Sequence, residues 1–227
     1  WDGKWHNLLI TRNNSTFNMY VDGTALSGPA GSVGTGNTVI DTIANQNNDG
    51  VPGWAVYNDA FTGELSNLVV WNSDQTSEKD NIYNNGSPAT SYTNTPVSWW
   101  KLDAASITDS NGSNNGTNNG ATLIDTNVGR ISAVAGLSSG MSQSNLVQSD
   151  LQTVAPYSKY AMNFDGTDYI DITGVSLSSS YSISFWINYT ATTASKQVFG
   201  GGSTNDLFWV TPQTTSSGRL AMFPDDT

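Results

Sequence analysis

No predicted strand in this sequence carries a pair of carboxylates placed for acid-base chemistry. The sequence contains two glutamates, Glu64 and Glu78, one histidine, His6, and no cysteine. A retaining glycosidase needs two carboxyl groups about 5–5.5 Å apart, but Glu64 opens a predicted strand and Glu78 lies on a predicted helix. His6 follows Trp5 in a strand pattern without a Ser/His/Asp spacing, so we expect it to be packed or hydrogen-bonded. The sequence therefore predicts a protein that is not an enzyme.

Exposed aromatic residues are candidates for ligand contact, because sugars stack on aromatic faces and hydrogen-bond to neighbouring polar groups. Trp54 and Tyr57 lie in the loop-like stretch VPGWAVYND, and Trp209 lies in LFWVT. These three residues are the predicted glycan contacts. Four other tryptophans lie within alternating patterns and are predicted to be buried in a core: Trp5, Trp71, Trp100 and Trp186.

The composition is typical of an all-β protein. Aromatic residues make up 11% of the 227 residues and charged residues only 12%, while Gly, Ser, Thr and Asn dominate the rest. A net charge of -11 argues against a phosphate-binding surface, so nucleic acid is not expected as a partner. No apolar run reaches the ~20 residues of a membrane span, and the absence of cysteine excludes a disulfide framework.

Short alternating segments separated by turn residues predict an antiparallel two-sheet sandwich. The segments are residues 5–11, 16–21, 39–43, 64–71, 97–102, 161–164, 169–173, 181–189, 196–199, 207–211 and 219–223. One stretch, SDQTSEKDNIYNNG, predicts a single short helix over residues 74–84. Two low-complexity stretches, 109–120 and 136–149, are expected on the surface or along a strand edge. Residues 87–96, bounded by prolines, predict a linker.

Several of these stretches resemble known modules. KWHNLLITRNNSTFNMYVDGTAL is similar to the W-H hairpin of the laminin G-like and pentraxin families, and GELSNLVVWNSDQTSEKDNIYNNG resembles their late strand and following helix. SWWKLDAASITDSNGSNNGTNNGATL, YAMNFDGTDYIDI and YSISFWINY resemble the amino-terminal half of the same module. The resemblance implies an all-β, concanavalin A-like jelly roll with one short helix. The laminarinase-type E-x-D-x-x-E strand of related glycosidases is missing.

The order of the pieces is reversed relative to these families. Residues 1–87 resemble the carboxy-terminal half, residues 88–96 join the halves, and residues 97–227 resemble the amino-terminal half. The chain is either a window on a tandem array or a circularly permuted single sandwich. We expect the first arrangement, since Trp1 is not an initiating residue and the sequence ends without a finishing strand. A permuted sandwich would instead place residues 5–21 in the same domain as residues 181–189.

The resemblance also implies two candidate calcium sites, because calcium accepts carboxylate and amide oxygens. The pentraxin-like site corresponds to Gln46, Asn47, Asn48, Asp49, Asn205 and Asp206. The alternative for the first four is a turn whose Asn side chains bond their own backbone. The second candidate resembles a loop of bacterial laminin G-like modules and comprises Asp103, Asp109, Asn111 and Asn114.

Together these features predict a non-catalytic laminin G-like module of a large surface-displayed protein that serves adhesion or glycan binding. The alternative is a structural assembly or decoration module that binds no small ligand. Expected partners are a glycan or neighbouring protein copies, on a cell or virion surface or elsewhere outside the cell. The cysteine-free composition suits bacterial surface proteins and bacteriophage fibres better than animal modules, which usually carry disulfides.

Overall fold

The computed structural model describes residues 3–26, 38–45, 60–125, 160–189, 196–200, 207–211 and 219–223. These residues form fourteen strands and one short helical segment. The strands are β1 (Trp5–Asn13), β2 (Thr16–Val21), β3 (Thr24–Ala25), β4 (Thr38–Ile43), β5 (Thr62–Trp71), β6 (Ser98–Trp100), β7 (Gly116–Asn119), β8 (Thr122–Asp125), β9 (Tyr160–Asp165), β10 (Tyr169–Leu177), β11 (Ser180–Asn188), β12 (Lys196–Gly200), β13 (Leu207–Thr211) and β14 (Arg219–Phe223).

The strands form two sheets. The first sheet has the order β3-β2-β1-β11-β5-β9-β8, and β6 also pairs with β5. The second sheet has the order β14-β13-β12-β4-β10-β7. Neighbouring strands within both sheets run antiparallel. The predicted all-β, antiparallel two-sheet architecture is confirmed, while its jelly-roll connectivity stays a prediction.

Strand alternation determines which side chains form the core between the sheets. Leu8 and Ile10 of β1 belong to the main apolar cluster, whereas Leu9 belongs to a second cluster on the outer face of the first sheet. The main cluster also contains Ile170 and Val175 from the second sheet. Burial was predicted for Trp71, Trp100 and Trp186, and it is confirmed for all three. Trp100 lies in the main cluster, whereas Trp71 lies in the outer one.

Strands from residues 1–87 pair with strands from residues 97–227 in both sheets. Along its whole length β1 pairs with β11, from Trp5 opposite Asn188 to Asn13 opposite Ser180. In the second sheet, β4 lies between β12 and β10. Both sheets therefore contain strands from residues 1–87 and from residues 97–227, and neither part forms a sheet alone. A half sandwich would leave an apolar face uncovered, which explains this closure physically.

The predicted helix is present and short. A 3-10 turn (Thr76–Glu78) leads into α1 (Lys79–Tyr83), and a second 3-10 turn (Asn84–Gly86) follows. The α-helix ends because Asn84, Asn85 and Gly86 all adopt positive φ angles of 49°, 53° and 84°, which Asn and Gly tolerate best. Ile82 is buried in the outer cluster, so this segment covers part of the first sheet's outer face.

The predicted linker at residues 87–96 is held against the first sheet. Tyr92 packs between Trp71 and Trp99, with ring centroids 5.1 Å from each. Trp71 Nε1 donates a hydrogen bond to Asn94 O at 2.9 Å. The sequence signal for this docking was the aromatic Tyr92 within an otherwise polar connection.

Asn67 fastens the same connection from the sheet side. It lies in β5 with a φ of 52°, at a bulge where the pairing with β11 shifts register. Its Nδ2 donates to the Tyr92 hydroxyl at 3.0 Å, and its Oδ1 accepts from Trp99 Nε1 at 2.6 Å. Asn67 is 2% exposed, so both hydrogen bonds are shielded from competing water.

The first low-complexity stretch contains a strand that the sequence did not predict. β7 pairs with β10 at one end of the second sheet, which agrees with the expected position along a strand edge. At Gly120, with a φ of 101°, the chain leaves this sheet and enters β8 of the first. The second stretch, residues 136–149, lies outside the described residues.

Within the described ranges, no helix has the length and apolarity needed to cross a bilayer.

Candidate functional site

Most predicted ligand residues lie outside the described part of the chain. These are Gln46, Asn47, Asn48, Asp49, Trp54, Tyr57, Asn205 and Asp206. Trp209 lies in β13, opposite Gln197 of β12 and Ala221 of β14. The pentraxin-like calcium site and the glycan contacts predicted at these positions stay predictions.

The second predicted calcium loop is built around the carboxylate of Asp109, which is 6% exposed. Its Oδ1 accepts backbone N–H bonds from Trp99 at 2.9 Å, Asn111 at 3.1 Å and Gly112 at 2.9 Å. Its Oδ2 accepts a further bond from the Asn114 backbone N–H at 3.1 Å. Burial alone raises the pKa of Asp109, but these amide hydrogen bonds more than offset it and place the pKa below its ordinary value.

The side-chain amide nitrogens of two other predicted ligands bond to residues other than Asp109. Asn111 Nδ2 donates to Pro96 O and Asn114 Nδ2 donates to Ser98 Oγ, at 2.5 and 2.8 Å. Asp103 takes no part in these hydrogen bonds. Among the described residues, no group of three or more His, Cys, Asp or Glu side chains is placed to hold a metal. Asp109 thus organises the loop through amide hydrogens, and calcium binding here stays a prediction without a supporting contact.

His6 is a hydrogen-bonded strand residue, as predicted. Its Nδ1 lies 2.7 Å from Asp22 Oδ2, and the other carboxylate oxygen of Asp22 accepts from the Asn7 backbone N–H at 2.9 Å. The pair therefore ties the β2–β3 turn to β1.

The two glutamates belong to separate elements. Glu78 lies in the first 3-10 turn and accepts from Asn81 Nδ2 at 2.9 Å, whereas Glu64 lies in β5.

A row of partly exposed side chains crosses the first sheet at the level of Glu64. Trp5 lies opposite Asn188, Asn188 opposite Glu64, and Glu64 opposite Asn163. Thr122 lies opposite Asn163 and completes the row on β8. We call these five residues, one from each of five adjacent strands, the Glu64 row.

The members of the Glu64 row point away from the core. Leu65, Ile187 and Met162 each neighbour a row member along the chain, and all three lie in the main core cluster. Because successive side chains alternate between faces, the row members project from the outer face. The first four are half-buried and Thr122 is exposed.

Glu64 is the only ionisable group in the row. Its Oε2 accepts a hydrogen bond from Asn188 Nδ2 at 3.1 Å. Burial raises the pKa of Glu64, and this hydrogen bond offsets part of the rise. Gly63 permits the close strand approach here, because a Cβ on it would lie 2.7 Å from Asn188 O and 2.8 Å from Phe61 Cζ. The carboxylate is therefore held in a defined position by the adjoining strand.

The remaining members of the row also carry polar groups, which are the indole N–H of Trp5, the side-chain amide of Asn163 and the hydroxyl of Thr122. Next to the row, Trp186 is 1% exposed and its Nε1 has no acceptor among the described residues. The Tyr83 ring stacks on Trp186 with centroids 6.3 Å apart. The row thus offers an aromatic face with donors and acceptors, bordered on one side by Tyr83.

Sequence reasoning did not find this row, and its prediction for Trp5 was wrong. Trp5 was predicted to be buried in the core, but it lies half-buried on the outer face. Alternation shows that a strand has two faces without showing which one the second sheet covers.

Comparison of the chain with protein-family models, curated proteins and solved structures gives no match.

Proposed function

We propose that this protein is a non-catalytic module that binds uncharged glycans on the Glu64 row. The observation that carries the proposal is the half-buried Trp5 beside an amide, a carboxylate and a second amide at one level of the sheet. An aromatic face with a few fixed polar groups is the usual composition of a sugar site. Trp5 would stack on a pyranose ring, while Asn188, Glu64 and Asn163 would bond its hydroxyls.

The neighbours of Glu64 support binding without hydrolysis. Both residues opposite it in register, Asn188 and Asn163, carry amides. Glycoside hydrolysis uses a second carboxyl group across the scissile bond, and the Glu64 row contains one carboxylate. An amide cannot act as general acid or nucleophile at neutral pH, so the row favours recognition.

Charge supports a preference for uncharged sugars. The chain has a net charge of -11, and the row holds one acidic residue and neither lysine nor arginine. A uronic acid or sulfate group would be placed against Glu64 without a compensating cation, which costs electrostatic free energy. Hydroxyl and N-acetyl groups carry no such penalty.

That this chain belongs with the laminin G-like and pentraxin modules is itself a proposal, and it accords with glycan binding. It supports a place on a cell or virion surface, where adhesion to glycans would be useful. Packing against neighbouring protein copies is the alternative, in which the sandwich binds no small ligand.

Isothermal titration with gluco-, manno-, galacto- and N-acetylchito-oligosaccharides, and with polygalacturonate as the charged probe, tests the proposal. We expect at least one uncharged probe to bind. Trp5→Ala should weaken its binding by about tenfold or more, corresponding to the loss of ~1.4 kcal/mol of stacking. Trp5→Phe should retain part of the affinity.

Tyr169→Ala is the matched control, since Tyr169 is a half-buried aromatic on the second sheet. Its affinity should equal that of the wild type. Binding of polygalacturonate alone, or no binding by any probe, would refute the proposal and leave the assembly alternative.

A further inference from the structure

We infer that the ligand of the Glu64 row is a linear glycan that lies across the strands, with one sugar unit over each strand from β1 to β9. This inference rests on the proposed function. It goes beyond that function by assigning the direction of the bound chain, the number of sugar units that the site contacts, and the two ends of the site.

The direction follows from the register. The row runs perpendicular to the strands, through β1, β11, β5, β9 and β8 in that order. Adjacent strands lie about 4.7–4.9 Å apart, so Trp5 and Asn163 are separated by roughly 14 Å across three intervals. Each interval is close to the length that one pyranose unit adds to an extended chain. Successive sugars can therefore meet successive side chains in the row.

The width of the site also fits a single chain. The next outward-facing level contains Asn7, Trp186 and Ser66, which lie opposite one another and are buried. Tyr83 stacks over Trp186 at this level. Two residues along a strand correspond to about 6.6–6.8 Å, so Tyr83 stands beside the row and limits the ligand on that side. A linear chain can follow the row, whereas a branch on that side would meet the Tyr83 ring.

The two ends of the row differ in chemistry, which gives the bound glycan a defined register. Trp5 supplies an aromatic face and an indole donor at one end, while Asn163 and Thr122 supply an amide and a hydroxyl at the other. Between them, Asn188 holds Glu64 through the 3.1 Å hydrogen bond. A disaccharide should occupy the Trp5 end, because stacking contributes more than a single exposed hydrogen bond. Only longer chains should reach Asn163.

The test is a titration with a length series, from disaccharide to hexasaccharide, of the uncharged glycan that binds best. We expect affinity to rise up to about four units, the number of strands from β1 to β9, and then to level off. Trp5→Ala should weaken every length by about tenfold or more. Asn163→Ala should weaken the tetrasaccharide and longer chains by roughly three- to tenfold and leave the disaccharide unchanged.

Asn81→Ala is the control for removing a surface amide, since Asn81 is exposed on α1 outside the row. It should match the wild type at every length. If affinity is complete at the disaccharide, or if Asn163→Ala has no effect on the hexasaccharide, the chain does not cross the strands. The proposed function would survive that result provided that Trp5→Ala still weakens binding. Absence of binding at every length would overturn both claims.

Discussion

Replacing Asp109 with alanine removes the acceptor of four backbone N–H groups at once. Asn111 and Gly112 are exposed, so water can replace the carboxylate at their amides. Trp99 and Asn114 are half-buried, and an amide left without a partner costs about 1–3 kcal/mol. If the amides of Trp99 and Asn114 each cost this amount and the amides of Asn111 and Gly112 cost almost nothing, the total is roughly 2–6 kcal/mol. We expect Asp109→Ala to lower the free energy of unfolding by about 3 kcal/mol.

Urea unfolding followed by tryptophan fluorescence measures this loss at neutral pH. Asp171→Asn is the matched control, because Asp171 is exposed and its carboxylate accepts one side-chain bond, from Asn119 at 3.0 Å. This control should stay within about 0.5 kcal/mol of the wild type. An unchanged unfolding free energy for Asp109→Ala would show that the carboxylate does not organise the loop.

The pH dependence provides an independent check on the same carboxylate. The pKa of Asp109 is lowered in the folded protein, so the unfolded chain binds the proton more readily. Its stabilising contribution is complete above the unfolded carboxyl pKa of about 3.9 and is lost as the pH falls through the lower folded value. Asp109→Asn lacks this proton, so its stability should fall less steeply than that of the wild type in acid. Equal acid slopes would contradict this assignment.

Four further predictions concern single positions. Asn67→Gly keeps the positive φ but removes two shielded side-chain hydrogen bonds, so it should lower the unfolding free energy by about 1–3 kcal/mol, measured with urea. Gly63→Ala should lower the melting temperature by several degrees, because its Cβ would meet backbone and ring atoms at a φ of 146°. Purified protein should release no reducing sugar from laminarin. If it does release sugar, and the Glu64→Gln substitution abolishes that release, the non-catalytic proposal is overturned. In calcium titrations, Asp109→Asn and Asp206→Ala test the two predicted calcium sites separately. A variant at a true site should lose binding heat, and unchanged heat in a variant would contradict the site that it removes.

Alternation predicted most of the described strands because a sandwich core imposes a period of two on each of them. β2, β13 and β14 match the predicted residues at both ends. β7 was missed, since GTNN has no apolar alternation and its conformation depends on pairing with β10. β7 is a strand because it pairs with β10, and such a tertiary contact cannot be read from the local sequence.

The candidate site was less accessible to sequence reasoning for a topological reason. The Glu64 row joins Trp5, Glu64, Asn163 and Asn188, which are far apart along the chain and meet only through strand order and register. Neither is encoded in any single motif. Outward-facing Asn and Glu residues within strand patterns were the available signal, but a turn-rich composition supplies many such residues. The loop around Asp109 was singled out by its resemblance to a loop of bacterial laminin G-like modules, a comparison that is possible because its members are close neighbours in the chain. Its binding of calcium stays a prediction.

The central claim is that uncharged glycans bind on the Glu64 row, and side-chain NMR during a glycan titration tests it most directly. In ¹⁵N-labelled protein, the indole signal of Trp5 and the side-chain amide signals of Asn188 and Asn163 should shift together and saturate together. The side-chain amides of Asn111 and Asn114, in the loop around Asp109, should stay unchanged. Saturable shifts confined to residues outside the row, with the Trp5 indole unmoved, would contradict the account.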